Sequence, residues 1–444
     1  NDTATTEIYT LSLHDALPIY RYFVKSKGIH SISKIYQLYL TYCRKVRYQK
    51  EGRQMFGFTE DMTEKQELVR KFCEDWIYPN LAEIDAGKCC PDYIWEEWCK
   101  IPGFASPCAP KFTGGEEMPF ATCCAMWEEL GKADLGVATG FGSNNLGSFP
   151  ILLTGTEDQQ KEHFGNLLQG KFGAFGLTEK GAGSDAGAVA TEAKKEGEYY
   201  ILNGDKCYIT TSGKAIETKS TLAICASTDK SLGSKGLTMF LIPGDTPGLT
   251  AVKEEDKMGI RGSQTCELHL ENVKLHESRI LGGPEKGIGF GFKTAMMTLD
   301  AGRAVVAAQA NGVALRAIEI LVDYCNNHLD GGRPLSKNLA ATFKIAELEA
   351  QTQACRQLVY HTAKMRDAGL NHGHESCCAK IVCTENAINA TRVAMDIMGV
   401  NGLEKGSAME KLYRDARILS IYEGTNQVQR LVVTNGLFPK KKKK

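Results

Sequence analysis

The sequence predicts an α+β chain in three regions, helical, then β, then helical, and three observations carry that prediction. Apolar residues recur at three- and four-residue spacing from about Glu64 to Gly170. Short β-rich runs separated by turn residues follow between Ala174 and about Leu275. A helical stripe of Val306, Ala310, Val313, Ala317, Ile320 and Tyr324 then marks the stretch from about Gly287 to Val433. The composition suits such a chain: 444 residues, 43% hydrophobic and 24% charged, are enough for several buried cores.

Residues 1–54 stand apart from the rest. Between Ala16 and Lys50 there is no acidic residue, while eight Lys or Arg and many Tyr are present. Asn1 to Ile19 resembles a translated sequencing adapter, and no Met precedes it, so 1–54 is read as a non-native or leader-like extension, with Met55 or Met62 as candidate starts. A basic mitochondrial presequence is the competing reading. The first implies a bacterial cytoplasmic protein, the second a mitochondrial matrix one. Residues 439–444 form a Lys-rich tail, a solvated charge run.

Within the folded part, three domains are expected: helical over 55–172, β over 173–282 and helical over 283–438. Thr63 with Gln66 three residues on predicts a capping box opening the first helix. In the β region the runs are Tyr199–Leu202, Lys206–Thr211, Thr221–Ala226 and Leu237–Ile242, with alternation from Cys266 to Leu270. Asn203-Gly204 between the first two predicts a tight hairpin.

Charge and cysteine content limit the function. Equal numbers of basic and acidic side chains, 53 each, give no overall pull towards nucleic acid or anionic lipid. No uninterrupted run of 18 apolar residues marks a membrane span. These features point to small-molecule chemistry, with neither a nucleic-acid nor a membrane partner. Sixteen cysteines without a Cys-x-x-Cys pair read as reduced, mostly buried thiols, not as a disulfide or zinc framework. His372-Gly373-His374-Glu375 lacks further ligands at useful spacing and reads as a solvated loop, so no metal site is expected.

The stretch richest in chemistry is Gly176 to Ala188, at the entrance to the β region. Gly181 and Gly183 allow a bulky ligand close to the backbone, and Thr178 and Ser184 offer hydroxyls, yet the spacing is neither a Rossmann fingerprint nor a P-loop. Taken whole, Gly176-Leu177-Thr178-Glu179-Lys180-Gly181-Ala182-Gly183-Ser184-Asp185 resembles the first signature of the acyl-CoA dehydrogenase family. Further segments follow in that family's order: Lys206-Cys207-Tyr208-Ile209-Thr210, Lys257 to Ser263, Leu299-Asp300-Ala301-Gly302-Arg303, Lys411 to Ala416, and Ile421-Tyr422-Glu423-Gly424-Thr425-Asn426-Gln427-Val428-Gln429. The resemblance covers about Phe58 to Leu437.

This resemblance implies an N-terminal helical domain, a middle β-barrel-like domain and a C-terminal four-helix bundle, with FAD and an acyl-CoA between them. It implies α,β-desaturation of the thioester, a carboxylate taking the α proton while the β hydrogen leaves as hydride to the flavin. Burial raises the basicity of such a carboxylate, and hydrogen bonds to the thioester carbonyl stabilise enolate charge. Glu423 is the implied base. Gly302 occupies the position where other members carry theirs. Phe175, Leu177, Thr178, Gly183, Ser184, Tyr208, Thr210, Thr425 and Gln427 are implied to contact FAD. Ser184, Asp300, Arg303, Tyr422 and Gly424 are implied to contact substrate. An electron-transferring flavoprotein is the implied electron acceptor, and a homotetramer or homodimer the implied assembly.

Similarity to butyryl-type members points to short acyl chains, with an enoyl-CoA reductase running the reverse reaction as the alternative. Two segments depart from the family pattern where a neighbouring subunit completes the FAD site: His328 to Arg333 lacks the usual Arg-x-x-Phe-Gly, and Asp396 to Gly402 has Asp for Gln and Val for Gly. An acidic group near a pyrophosphate is repulsive, so weakened binding of the adenosine diphosphate half is expected. A non-catalytic, FAD-free interaction protein of the same fold is the reading from a different class. Lys180 in place of Pro and Thr211-Ser212 in place of Asn-Gly are smaller departures.

Overall fold

The computed structural model describes residues 57–87 and 89–438. The expectations for 1–54 and 439–444 lie outside the described residues. By its contacts the chain divides after Thr59, and every element below belongs to the second unit.

The first helical layer comprises α1 (Glu60–Phe72), α2 (Phe120–Ala133), α3 (Leu135–Thr154) and α4 (Glu157–Leu168), with short helices at Leu81–Ala86 and Asp92–Cys99. Thr63 does not cap α1. The helix opens three residues earlier, with Glu60 and Asp61 in its first turn, where acidic side chains suit the helix dipole. A capping box does form on α4, between Thr156 and Gln159. The Asp134 carboxylate caps α3 by accepting from the Val137 amide at 2.8 Å.

The middle region is a curled seven-stranded sheet: β1 (Ala174–Gly176), β2 (Glu192–Glu196), β3 (Tyr199–Thr210), β4 (Thr221–Ser227), β5 (Leu237–Pro243), β6 (Leu249–Glu254) and β7 (Thr265–His276). β4 is joined in parallel by β1 and by β2 and antiparallel by β5, and from β2 the sheet continues through β3, β7 and β6 in antiparallel order. Asn203-Gly204 is not a hairpin turn. It lies inside β3, where the register with β7 shifts between Leu202 and Gly204, and the β2–β3 turn is at Gly197 instead. A Cβ on Gly204 would stand 2.6 Å from Thr191 Oγ1, so the glycine marks a close approach at a bulge. The fully buried His163 joins the two regions, its ring bonding Ser148 Oγ at 3.0 Å and Thr221 Oγ1 at 2.6 Å. Burial pushes its pKa down to about 3 and keeps the ring neutral.

The second helical layer holds α5 (Gly291–Asn327), α6 (Leu339–Asp367), α7 (Gly373–Met398), α8 (Ala408–Ala416) and α9 (Asn426–Leu437), with a small hairpin of β8 (Leu329–Asp330) and β9 (Arg333–Pro334) after α5. Since α7 begins at Gly373, His374 and Glu375 belong to its first turn and not to a loop. By length and composition α5 could cross a membrane, with a mean hydropathy of 1.5 over 18 residues, a feature that a search for unbroken apolar runs misses. Here it is the central helix, packed on α7, α2, α6 and α3, and 72% of that window is buried. Ala304, Ala307, Ala308, Ala310, Ala314 and Ala317 on α5 are all buried, and their small side chains let neighbouring helices pack closely. The fifteen described cysteines are free thiols, as the sequence predicts.

Candidate active site

Two groups of side chains make the site, and the first gathers around Glu423. This residue precedes α9 in a turn where Glu423 has φ 54° and Gly424 φ 82°, both left-handed. That conformation costs a non-glycine residue on the order of 1–3 kcal/mol, so surrounding contacts must impose it. Gln429 supplies two of them, its Nε2 donating to the carbonyl of Glu423 at 3.1 Å and to that of Gly424 at 2.8 Å. Across the site, a Cβ built on Gly302 of α5 would stand 2.6 Å from Glu423 Oε2 and 3.1 Å from Leu146 of α3. The two alternative base positions of the sequence are therefore adjacent, and the glycine leaves room for the carboxylate.

The electrostatics around Glu423 are unusual for a surface loop. Oε2 is buried without a hydrogen-bond partner, and so is Arg303 Nε. Burial pushes the Glu423 carboxyl up to about 7, against the opposing pull of Arg303 and Lys380. Arg303 bonds Asp300 Oδ1 at 2.5 Å and Cys377 Sγ at 3.5 Å. Burial raises the Asp300 carboxyl despite Arg303. The Tyr422 hydroxyl donates to Gln309 Oε1 at 3.4 Å, and burial raises its phenol as well. A buried acceptor and a buried donor, both unsatisfied, fit a site that completes its bonding with a polar ligand.

The second group lies on the β region. Phe175 is half-buried on β1 and packs, as Leu299 of α5 does, against the same apolar cluster. Leu177 is buried in that cluster, so only its backbone is open to a ligand, and its carbonyl accepts from Lys206 Nζ at 3.3 Å. The Thr178 carbonyl accepts from the Cys207 amide at 3.0 Å, and its side chain is half-buried. Nothing lies within 4 Å of a Cβ built on Gly181 or Gly183, and Ser184 is exposed beside them. Tyr208 sits where β3 and β7 lose register between Lys206 and Ile209, with φ 59° and a side chain 67% exposed. The bulge turns that ring outward, away from the half-buried position an ordinary strand aromatic takes. Thr210 follows, half-buried. Thr211, left-handed at φ 58°, donates to the carbonyl of Gly173 at 2.8 Å.

Thr425 and Gln427 take different places. Thr425 caps α9, its Oγ1 accepting from the Val428 amide at 3.3 Å. Gln427 is exposed in a groove of about 410 Å³ lined also by Asn426, Arg392, Arg417 and Arg430. Tyr324 touches both departing segments: His328 stacks on it at 4.7 Å between ring centroids, and its hydroxyl accepts from Asn401 Nδ2 at 2.9 Å. Asp396 is not a bare carboxylate, because Arg392 bonds it at 2.9 Å, both side chains being exposed. Arg333 is exposed on β9.

An exposed aromatic, neighbouring hydroxyls and a glycine loop with open space fit the face of an isoalloxazine ring. Among the described residues no three His, Cys, Asp or Glu side chains gather to hold a metal. Sequence reasoning passed over Lys380 and Arg392, and gave Gln429, the last residue of its final motif, no role of its own. The one signal for Lys380 was a lone cation in the apolar helical run Cys377 to Cys383.

Three family models match the chain: the N-terminal domain of acyl-CoA dehydrogenase over residues 59–171, the middle domain over 174–273 and the C-terminal domain over 289–438. A 3-(aryl)acrylate reductase of Clostridium sporogenes is 41% identical over 382 residues, covering 84% of this chain and 99% of its own. Butyryl-CoA dehydrogenase of Megasphaera elsdenii superposes with a TM-score of 0.82 at 36% identity, covering 87% of this chain and 100% of its own. A chain from a structural study of the electron transferring flavoprotein of Acidaminococcus fermentans and flavin-based electron bifurcation gives 0.82 at 35%, covering 87% and 100%.

Proposed function

The chain belongs to the acyl-CoA dehydrogenase family, FAD-dependent oxidoreductases acting on CH–CH bonds, and from that premise we propose that Glu423 is its base and a short acyl-CoA its substrate. The observation that carries this is the orphaned, buried Oε2 of Glu423 beside Gly302 and near the charge of Arg303. A base with a pKa near 7 is matched to neutral operation. Glu423 takes the α proton, and the left-handed turn at Gly424 presents backbone N–H groups to the thioester carbonyl, where enolate charge develops. Arg303, held by Asp300, favours the charged carboxylate against the effect of burial. Tyr422 walls the site. Thr178, Ser184, Tyr208 and Thr210 hold the flavin against that site, with Gly183 giving its loop room and Phe175 and Leu177 supporting it. When bound, FAD accepts the β hydrogen as hydride. Thr425 fixes the start of α9, and Gln427 with its arginine-lined groove faces the cofactor's outer half.

The likeness to butyryl-CoA dehydrogenase supports a short acyl chain, and the likeness to 3-(aryl)acrylate reductase supports a second reading, in which the same residues deliver the proton and the double bond is reduced. An electron-transferring flavoprotein is the proposed electron partner, and a dimer or tetramer the proposed assembly. A paired Asp396 and an intact Glu423 site favour a catalyst over a cofactor-free relative.

The test is an anaerobic titration of the purified chain with butyryl-CoA while its visible spectrum is recorded. Bleaching of the flavin band that is lost in Glu423→Gln supports base and substrate together. A yellow protein bleached by neither butyryl-CoA nor an arylpropionyl-CoA overturns the substrate proposal, and bleaching that persists in Glu423→Gln overturns the base.

A further inference from the structure

The Glu423–Gly424 turn is anchored from α7 by a buried lysine. Lys380 lies on α7 with its side chain fully buried. Its Nζ donates to the carbonyl of Gly424 at 3.0 Å and to Asn426 Oδ1 at 2.9 Å. Asn426 is tied back to α7 in turn, its Nδ2 donating to Thr384 Oγ1 at 3.0 Å and to Glu385 Oε1 at 3.3 Å. The Gly424 carbonyl thus receives Lys380 from one side and Gln429 from the other, while Gln429 also holds the carbonyl of Glu423.

A buried ammonium is expensive unless its donors are used, and a core lysine would be replaced by an apolar side chain at little cost to packing. This one donates to the carbonyl of Gly424, in the turn where Glu423 is strained, and to Asn426 just after it, and the turn is what needs holding. With both carbonyls of Glu423 and Gly424 drawn towards α7 and α9, the loop is kept in one conformation. We propose that Lys380 is a positioning residue of the reaction: through the Gly424 carbonyl, and together with Gln429, it locks the Glu423–Gly424 turn and so fixes the direction of the base and of the loop N–H groups. This rests on Glu423 being the base.

The same ammonium also supplies charge. The groups facing this pair are Arg303, backed by Asp300, from α5; Cys377 and Glu385 from α7; and Tyr422 beside Glu423. Burial pushes Lys380 down to about 8 against the pull of Glu423, and it remains a cation at neutral pH. Removing it lets Glu423 hold its proton more tightly.

The experiment compares full-length holoenzyme carrying Lys380→Met, Lys380→Gln, Gln429→Leu or Glu423→Gln, measuring flavin content, kcat, KM and the pH profile of kcat/KM. Lys380→Met keeps the volume and removes both donors and charge. The expected result is a fall in kcat of about 10²-fold, the scale of a 1 Å misplacement of a catalytic group, at unchanged flavin content, with the acid limb moved to higher pH. Lys380→Gln, which keeps a donor, recovers part of kcat but not the limb. Gln429→Leu lowers kcat without moving the limb, and it carries the test if Lys380→Met does not fold. A Lys380→Met enzyme with kcat within threefold of wild type and an unmoved limb overturns the latch alone. A Glu423→Gln enzyme of full activity overturns both latch and base.

Discussion

A Cβ placed on Gly302 stands 2.6 Å from Oε2 of Glu423, far inside the distance that real side chains keep. The atom it meets is the end of a flexible carboxylate, so the collision is relieved by moving the base and not by unfolding the helix. Gly302→Ala is therefore expected to leave the melting temperature within a few degrees of wild type and to lower kcat by about 10²-fold, as expected for a base displaced by about 1 Å. Steady-state rates and a thermal melt on one preparation check it. A variant that melts early at full specific activity would place the space left by Gly302 in the service of packing.

Tyr208 has no part in the core, because the bulge in β3 leaves its ring 67% exposed. Tyr208→Ala is expected to leave the apoprotein within about 0.5 kcal/mol of wild type, the ordinary effect of a surface change. Losing one aromatic contact of about 0.5–1.5 kcal/mol weakens flavin binding by about 2- to 13-fold. Flavin fluorescence titration of apoprotein measures this, and unchanged affinity would remove Tyr208 from the cofactor site.

These residues show where the sequence could be read and where it could not. Glu423, Arg303 and Tyr208 could be singled out because each sits in a short ordered string, and such a string can be read without knowledge of the packing. Asn203-Gly204 was misread because a turn signal is local, whereas the length of β3 is set by its pairing with β7, some 70 residues away. The start of α1 was misplaced for a similar reason, Thr63 being a good cap in a stretch that already had a better start at Glu60. Lys380 was invisible as a functional group because its partners, Gly424 and Asn426, lie 44 and 46 residues further on. Its sequence neighbours show only that a cation interrupts an apolar run.

The Glu179–Lys206 pair underpins the loop that carries Gly181, Gly183 and Ser184. Lys206 Nζ is buried and bonds Glu179 Oε1 at 2.6 Å, while the same carboxylate accepts from the Ala190 and Thr191 amides and from Thr191 Oγ1. Burial works to raise the Glu179 carboxyl, but Lys206 and these donors hold it below the usual carboxylate range. Glu179→Ala leaves a buried ammonium without its counter-ion, which costs about 3–5 kcal/mol. Urea unfolding should show that loss. Removing the charge at both ends with Glu179→Gln and Lys206→Met should cost less than the sum of the two single changes. A purely additive double variant would mean that the two side chains act independently.

Glu423 gives the prediction with a sign in both kinetics and stability. Its carboxyl is pushed by burial from 4.5 up to about 7. The base works deprotonated, so kcat/KM rises with pH through an acid limb near 7 and then levels, and in Glu423→Gln that limb disappears together with about 10²–10⁴-fold of the rate. For stability, the folded protein holds this proton more tightly than the unfolded chain does. The contribution of the group is fully present below the unfolded pKa of about 4.5 and is lost as pH rises through about 7. Glu423→Gln cannot ionise and escapes the loss. Its melting temperature should therefore exceed that of wild type at pH 8, and the two should converge below pH 5. Parallel melts of both proteins across that range test the burial directly: a constant difference, or an acid limb at the ordinary carboxylate pH, would mean that Glu423 is solvated in the working enzyme and that its basicity comes from the bound substrate instead.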